Sequence, residues 1–166
     1  MNTEEIDHVL RSDSYSHLYG GIFPIDKLPK VLDSKRAYVV NLDTSKEEGS
    51  HWVGVQTFGA PHMTTYFDPF GISPPVEIIP NLLSVGKDIY YADIAVQSVL
   101  SQYCGYHVLM VSLLMQRGIT LQDILSRGYQ AQDEQYLRND FTAAIVIHAV
   151  TDLKSRPVIN WSQLFS

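Results

Sequence analysis

Residues Cys104–Arg117 read CGYHVLMVSLLMQR, a run that is apolar nearly all round and is followed by Gly118. Such a run is the signature of a buried helix closed by a glycine. Upstream the pattern is different. Ala37–Leu42 (AYVVNL) is β-rich, and His51–Phe58 (HWVGVQTF) and Met63–Asp68 (MTTYFD) flank Gly59-Ala60-Pro61-His62 as the two arms of a hairpin. Asp88–Asp93 (DIYYAD) is a further strand candidate, while Tyr19–Pro29, punctuated by Gly20, Gly21, Pro24 and Pro29, reads as a loop. Thr3–Arg11 reads as a short helix capped by Thr3, and Thr120–Ser126 as another capped by Thr120 with Asp123 three residues on. In Asp133–Val150, Leu137, Phe141, Ala144, Ile145 and His148 recur at helical spacing. Strands followed by helices predict an α+β fold.

The chain has 166 residues, 45% apolar and 18% charged, with no repeat or low-complexity tract, so one domain over 1–166 is expected. Twelve Lys and Arg against eighteen Asp and Glu leave a net charge of −6, which argues against binding dominated by nucleic-acid phosphate or anionic lipid. The apolar stretches fall short of the ~18 residues that cross a bilayer, and Met1–Leu10 has no signal-peptide character. A soluble protein in a reducing compartment is expected. One cysteine excludes an internal disulfide and a cysteine-based zinc site, and no metal site is expected.

That cysteine opens the strongest helix in the chain, where the aligned peptide dipoles and free N–H groups favour a thiolate. A buried packing thiol is the bland alternative. A nucleophilic thiolate needs an imidazole, and the imidazole an orienting carboxylate. His51 opens the first hairpin arm and Asp68 closes the second. A two-residue loop would pair positions whose numbers sum to 119, placing the two face to face, with Cβ atoms about 5 Å apart. A four-residue loop moves the sum to 121 and leaves them diagonal, at about 7–8 Å. His107, three residues after Cys104, is the competing base, although its apolar neighbours suit a packing role better. His8, His17, His62 and His148 read as structural or exposed. The developing oxyanion needs donors: the Cys104 N–H is one, and Gln97 or Gln102 could supply another.

In order, Gly49-Ser50-His51-Trp52, Tyr66-Phe67-Asp68-Pro69-Phe70-Gly71 and Gln97…Cys104-Gly105 resemble the adenovirus protease (adenain) family, in the wider clan of the ubiquitin-like-protein proteases. The resemblance covers roughly residues 15–117. It implies a papain-like α+β fold: a twisted, mostly antiparallel sheet packed against helices, with the nucleophile at a helix N-terminus. It assigns His51 as general base, Asp68 as orienting acid, Gln97 as oxyanion-hole amide and Cys104 as nucleophile, with Trp52 beside the site. Gln97 is chosen over Gln102 because it lies seven residues before Cys104, the adenovirus-like interval.

The implied activity is a thiol endopeptidase cleaving virion precursor proteins, capsid proteins included, after small Gly-type residues during maturation. The setting would be the virion and the virus factory of the host cell, and the enzyme a monomer. An isopeptidase for ubiquitin-like modifiers and a non-enzymatic capsid-associated protein are the alternatives. Asp68 replaces the adenoviral glutamate. Without a second cysteine no activating peptide can be disulfide-linked, and at −6 a DNA cofactor is not expected. A virophage or polinton-type relative suits these departures better than an adenovirus.

Overall fold

In the computed structural model the described residues are 1–47, 51–58, 63–86, 88–98, 100–129 and 136–152. Five strands run side by side in chain order: β1 (Tyr19–Pro24), β2 (Ala37–Asn41), β3 (Trp52–Gln56), β4 (Met63–Phe67) and β5 (Asp88–Tyr91). The β2–β3 and β3–β4 pairs at the centre are antiparallel, and the two edge pairs, β1–β2 and β4–β5, are parallel. Helices α1 (Thr3–Ser12), α3 (Cys104–Met115) and α5 (Tyr136–Asp152) share a core with one face of the sheet through Val39, Trp52 and Phe67. On the other face Tyr38, Val40, Val53, Val55 and Tyr66 pack with Leu28, Leu32 and Leu82 of the short helix α2 (Ile79–Leu83). A last short helix, α4 (Leu121–Asp123), is capped by Thr120 as the sequence suggests. The result is the mixed α+β architecture expected, with the sheet covered on both faces.

α3 owes its place to composition. From Cys104 to Met115 its residues are buried apart from the half-buried Tyr106, and β3 is its partner: an added Cβ on Gly54 would lie 3.6 Å from Val108. Gly105 is wedged where a Cβ would sit 3.3 Å from Trp52, Ile6 and Met1. The first turn of α3 therefore lies flat against β3 and α1.

Three expectations are corrected. Tyr19–Pro29 is not a loop: Tyr19–Pro24 forms the edge strand β1, with a bulge between Tyr19 and Gly21. Gly20 serves close packing there, since a Cβ would fall 2.7 Å from the Tyr38 ring, and Gly21 takes φ +123° at the bulge. The cap of α1 is Asn2 rather than Thr3. Its Oδ1 accepts from Glu5 N at 2.9 Å while Glu5 Oε2 accepts from Asn2 N at 2.8 Å, a reciprocal capping box. On α5 the buried side chains are Asn139, Asp140, Ala143, Val146, Ile147 and Val150, whereas Phe141 (57% exposed), Ile145 (60%) and His148 face outward. The helix carries two apolar stripes, and spacing alone does not say which one is covered. The hairpin loop 59–62 and Gly49-Ser50 lie outside the described residues.

The C-terminal end of α3 is tied to α1 by a bidentate ion pair. Arg117 Nη2 and Nη1 donate to the Asp13 carboxylate at 2.7 and 2.8 Å, with the two side chains 4% and 5% exposed. Burial pushes the Asp13 carboxyl up, but the Arg117 guanidinium, together with the Ser16 hydroxyl and the Tyr15 N–H, outweighs it and holds the group below its ordinary value. Arg117→Ala strands that carboxylate and should cost about 3 kcal/mol in a urea melt; Asp13→Ala in the same chain should recover part of the loss. Because the folded-state value is depressed, the pair's contribution is complete above the ordinary carboxylate range and is lost as pH falls through the folded value.

Candidate active site

The ladder between β3 and β4 pairs Gly54 with Phe67, Val55 with Tyr66 and Gln56 with Thr65. This is the 121 register, so His51 and Asp68, each one residue beyond its strand, are diagonal. Diagonal reach suffices: His51 Nε2 lies 2.7 Å from Asp68 Oδ1, with both side chains largely withdrawn from solvent. In this register the position facing His51 is Phe70, and its ring stacks on the imidazole with centroids 4.3 Å apart and planes 11° from parallel. Sequence reasoning includes Phe70 in the motif but gives it no role. The signal was present in the arithmetic of the longer loop.

Asp68-Pro69-Phe70-Gly71 is a turn that sets two side chains at once. Phe70 N donates to Asp68 Oδ1 at 2.8 Å and Gly71 N to Asp68 O at 2.8 Å, which fixes the carboxylate on the turn. Gly71 has φ +69°, and a Cβ there would lie 2.6 Å from the Ile94 carbonyl carbon, so no other residue fits without displacing backbone. That close approach lets Pro69 O accept from Val96 N (2.9 Å) and Gln97 N (3.2 Å). The turn that presents the acid thus also seats Gln97.

Cys104 is the first residue of α3 and 7% exposed. Burial pushes its thiol up, but interaction with His51 and the backbone N–H groups of Trp52 and Gly105 bring it below the ordinary thiol value. For His51, burial disfavours the charged ring, yet the Asp68 hydrogen bond, followed by Cys104, overrides it and raises the pKa from 6.5 to about 9. With Nε2 committed to Asp68, Nδ1 is the nitrogen left for sulfur. Nδ1 is buried and makes no hydrogen bond among the described residues, while ring and thiol each shift the other's ionisation; catalytic hydrogen bonds often close only when substrate binds. The pair favours thiolate and imidazolium together.

Gln97 is 1% exposed; its Nε2 donates to Ser101 O at 2.9 Å, and its Oε1 has no hydrogen-bond partner among the described residues. Gln102, the other amide considered, is exposed. Trp52 is buried beside the start of α3, its ring against Gly105. His107 is fully buried with both ring nitrogens engaged, Nδ1 with Tyr129 Oη and Nε2 with Asp140 Oδ1, each at 2.7 Å. No nitrogen of that ring is left to take a proton from Cys104. Among the described residues, no group of three or more His, Cys, Asp or Glu side chains is arranged to hold a metal ion, and no helix is long and apolar enough to cross a membrane.

No family profile matches the chain, and no curated protein matches it. Among solved structures it is similar to crystal structures of the pS273R protease of African swine fever virus (ASFV). The selenomethionine form is 23% identical with a TM-score of 0.41, over 63% of this chain and 43% of that one. A second crystal structure of the same protease is 21% identical with a TM-score of 0.41, over 63% of this chain and 41% of that one. The chain therefore spans less than half the length of the protease chains to which it is similar.

Proposed function

We propose that the chain is a cysteine endopeptidase in which Cys104 is the nucleophile, His51 the base and acid, Asp68 the group that orients His51, and Gln97 with the Cys104 N–H the oxyanion donors. One observation carries this reading. A single imidazole is held at 2.7 Å by a buried carboxylate on one side and charge-coupled on the other to the chain's one cysteine, at a helix N-terminus. A packing thiol would have no use for that arrangement.

In the proposed cycle the Cys104 thiolate attacks the scissile carbonyl and a tetrahedral oxyanion forms against the Gln97 amide and the Cys104 N–H. His51, protonated at rest, gives its proton to the departing amine. It then takes a proton from the water that hydrolyses the thioester. Asp68 keeps the ring in the one orientation that presents Nδ1 to sulfur throughout.

The substrate reading follows from access. Cys104 is 7% exposed and hemmed in by Trp52 and His51, which favours an extended chain with glycine or another small residue at the cut. Next to Trp52 a cleft of about 230 Å3, lined by Ile22, Phe23, Pro24, Asn41 and Asp43 among others, offers room for the residues preceding it. Virion precursor proteins, capsid proteins included, are the proposed substrates, cleaved by a monomer in the virus factory and the assembling particle. No cofactor is invoked, and the lone cysteine leaves none for a disulfide-linked activator.

A peptide vinyl sulfone ending in Gly-Gly tests the reading. It should form one adduct at Cys104, located by mass spectrometry, and incubation with candidate precursor proteins should yield new termini after small residues. Absence of both adduct and cleavage overturns the proposal. Hydrolysis confined to ubiquitin-like C-terminal esters would instead make it an isopeptidase.

A further inference from the structure

The mechanism above leaves a second buried network unused, and it runs from α5 to the loop that precedes the nucleophile. Asp140 Oδ1 faces His107 Nε2 at 2.7 Å, and Asp140 Oδ2 accepts from Ser101 Oγ at 2.8 Å. Ser101 Oγ in turn accepts from Tyr103 N at 3.2 Å, and the Ser101 carbonyl accepts from Gln97 Nε2 at 2.9 Å. The neighbouring residue on α5, Asn139, donates through Nδ2 to Val96 O at 3.0 Å. Asp140, His107 and Gln97 are all at least nine-tenths buried.

Two consequences follow from donor and acceptor chemistry alone. A carbonyl oxygen only accepts, so the end of the Gln97 amide that faces Ser101 must be the NH2 group. One of its hydrogens is then spent on Ser101, the other stays available, and where it points depends on where the Ser101 carbonyl sits. The position of Ser101 depends in turn on Asp140, the acceptor for its hydroxyl. Asp140 is itself pinned by His107, one turn along the helix that begins at Cys104. One carboxylate on α5 thus links the helix that carries the sulfur to the loop that carries the amide.

We infer that Asp140 is the positioning residue for Gln97: by tying Ser101 to His107 it holds the oxyanion donor at a set place relative to Cys104. The inference rests on the peptidase reading and extends it to α5, a helix more than thirty positions downstream of the nucleophile. Asp140 touches no substrate, so its effect should appear in turnover and be carried by Gln97.

The experiment is a double-mutant cycle on the full chain, with a Gly-Gly fluorogenic peptide as substrate and iodoacetamide as a second readout. Alkylation needs the thiolate and no oxyanion hole. Asp140→Asn should lower kcat by about tenfold to a hundredfold, somewhat less than outright loss of an oxyanion donor, with KM little changed and the alkylation rate within about twofold of wild type. In a Gln97→Ala background the same change should cost no more than about twofold further, because two residues that act as one unit are not additive. Ser101→Ala, which removes the hydroxyl and leaves the Asp140–His107 pair, should act in the same direction and stands in should Asp140→Asn fail to fold. Full additivity with Gln97→Ala, an unchanged kcat, or alkylation falling in step with kcat would overturn the inference. Those outcomes presuppose an active wild type. A wild-type chain that neither hydrolyses peptide nor reacts faster than a free thiol would bring down the peptidase reading, and this inference with it.

Discussion

Cys104→Ala should lower peptide hydrolysis by about ten-thousandfold or more, the scale on which loss of a covalent nucleophile is felt when the rest of a triad remains. The change is local. It removes one sulfur from the first turn of α3, leaves the Cys104 N–H in place, and disturbs neither the Trp52–Gly105 contact nor the Arg117–Asp13 tie at the far end of the helix. Circular dichroism and the thermal midpoint should therefore stay close to wild type while turnover, followed with a fluorogenic peptide, vanishes. Titration with a thiol reagent should fall from one equivalent to none, since the sequence holds one cysteine. Substantial remaining activity would mean that another group makes the attack. A second effect separates this variant from simple misfolding: His51 loses the sulfur that helps raise its pKa, so its titration, followed by NMR, should move down from about 9 while remaining lifted by Asp68.

What could be read from the sequence divides according to how far away each residue's partner lies. α3 was legible because nearly every side chain in it is apolar, and β2, β3 and β4 because they are short β-rich runs between polar turns. The meeting of His51 with Asp68 was legible as a hairpin argument, and either register brought them near. The register itself was not, because it hinges on whether Gly59-Ala60 or the four residues 59–62 make the turn. The stacking role of Phe70, a residue already named in the motif, is hidden for that reason, as the partner of the His51 ring is defined by the 121 pairing. β1 was misread since Gly20 and Gly21 look like punctuation until Tyr38, lying over Gly20, shows why a side chain is excluded. The role of Gly71 was likewise hidden, because it depends on the backbone of Ile94 and Ala95, more than twenty residues on.

The same reasoning explains why α5 stayed blank. Its contacts with His107 and Ser101 join residues 33 and 39 apart, and nothing in the spacing of Phe141, Ile145 and His148 announces that the opposite stripe, apolar but for Asn139 and Asp140, is the one that packs. Burying Asn139 and Asp140 is costly unless each finds a partner, so their presence on the covered face marks a job that an apolar residue could not do. Local pattern reports the amount of apolar surface. It does not report which polar group the fold will spend that surface on.

His51→Ala should be nearly as severe as loss of the sulfur, with a pH signature of its own. In the wild type the two pKa values move towards each other's side: His51 is raised to about 9 and Cys104 is lowered. The lowered thiol and the raised ring together shift the pair towards thiolate and imidazolium. Alkylation of Cys104 should therefore set in at lower pH than for an ordinary thiol and fall when acid protonates the thiolate. Hydrolysis, which also needs the imidazolium proton for the leaving amine, should decline again as pH rises through about 9, giving a bell-shaped profile. Removing the ring leaves burial as the chief influence on the thiol, and burial pushes it up. The variant should then lose alkylation at pH 7 by about tenfold or more, recover it only in alkali, and lose hydrolysis by about a thousandfold. Stability should follow the sign of the ring's shift. A histidine whose folded-state pKa is raised contributes fully below its unfolded value of 6.5, and that contribution disappears as pH climbs through about 9. Thermal midpoints of wild type and His51→Ala should therefore converge across that window. An unchanged alkylation profile in His51→Ala would show that the sulfur owes its ionisation to the helix terminus alone, and would leave His51 without its assigned part in the chemistry.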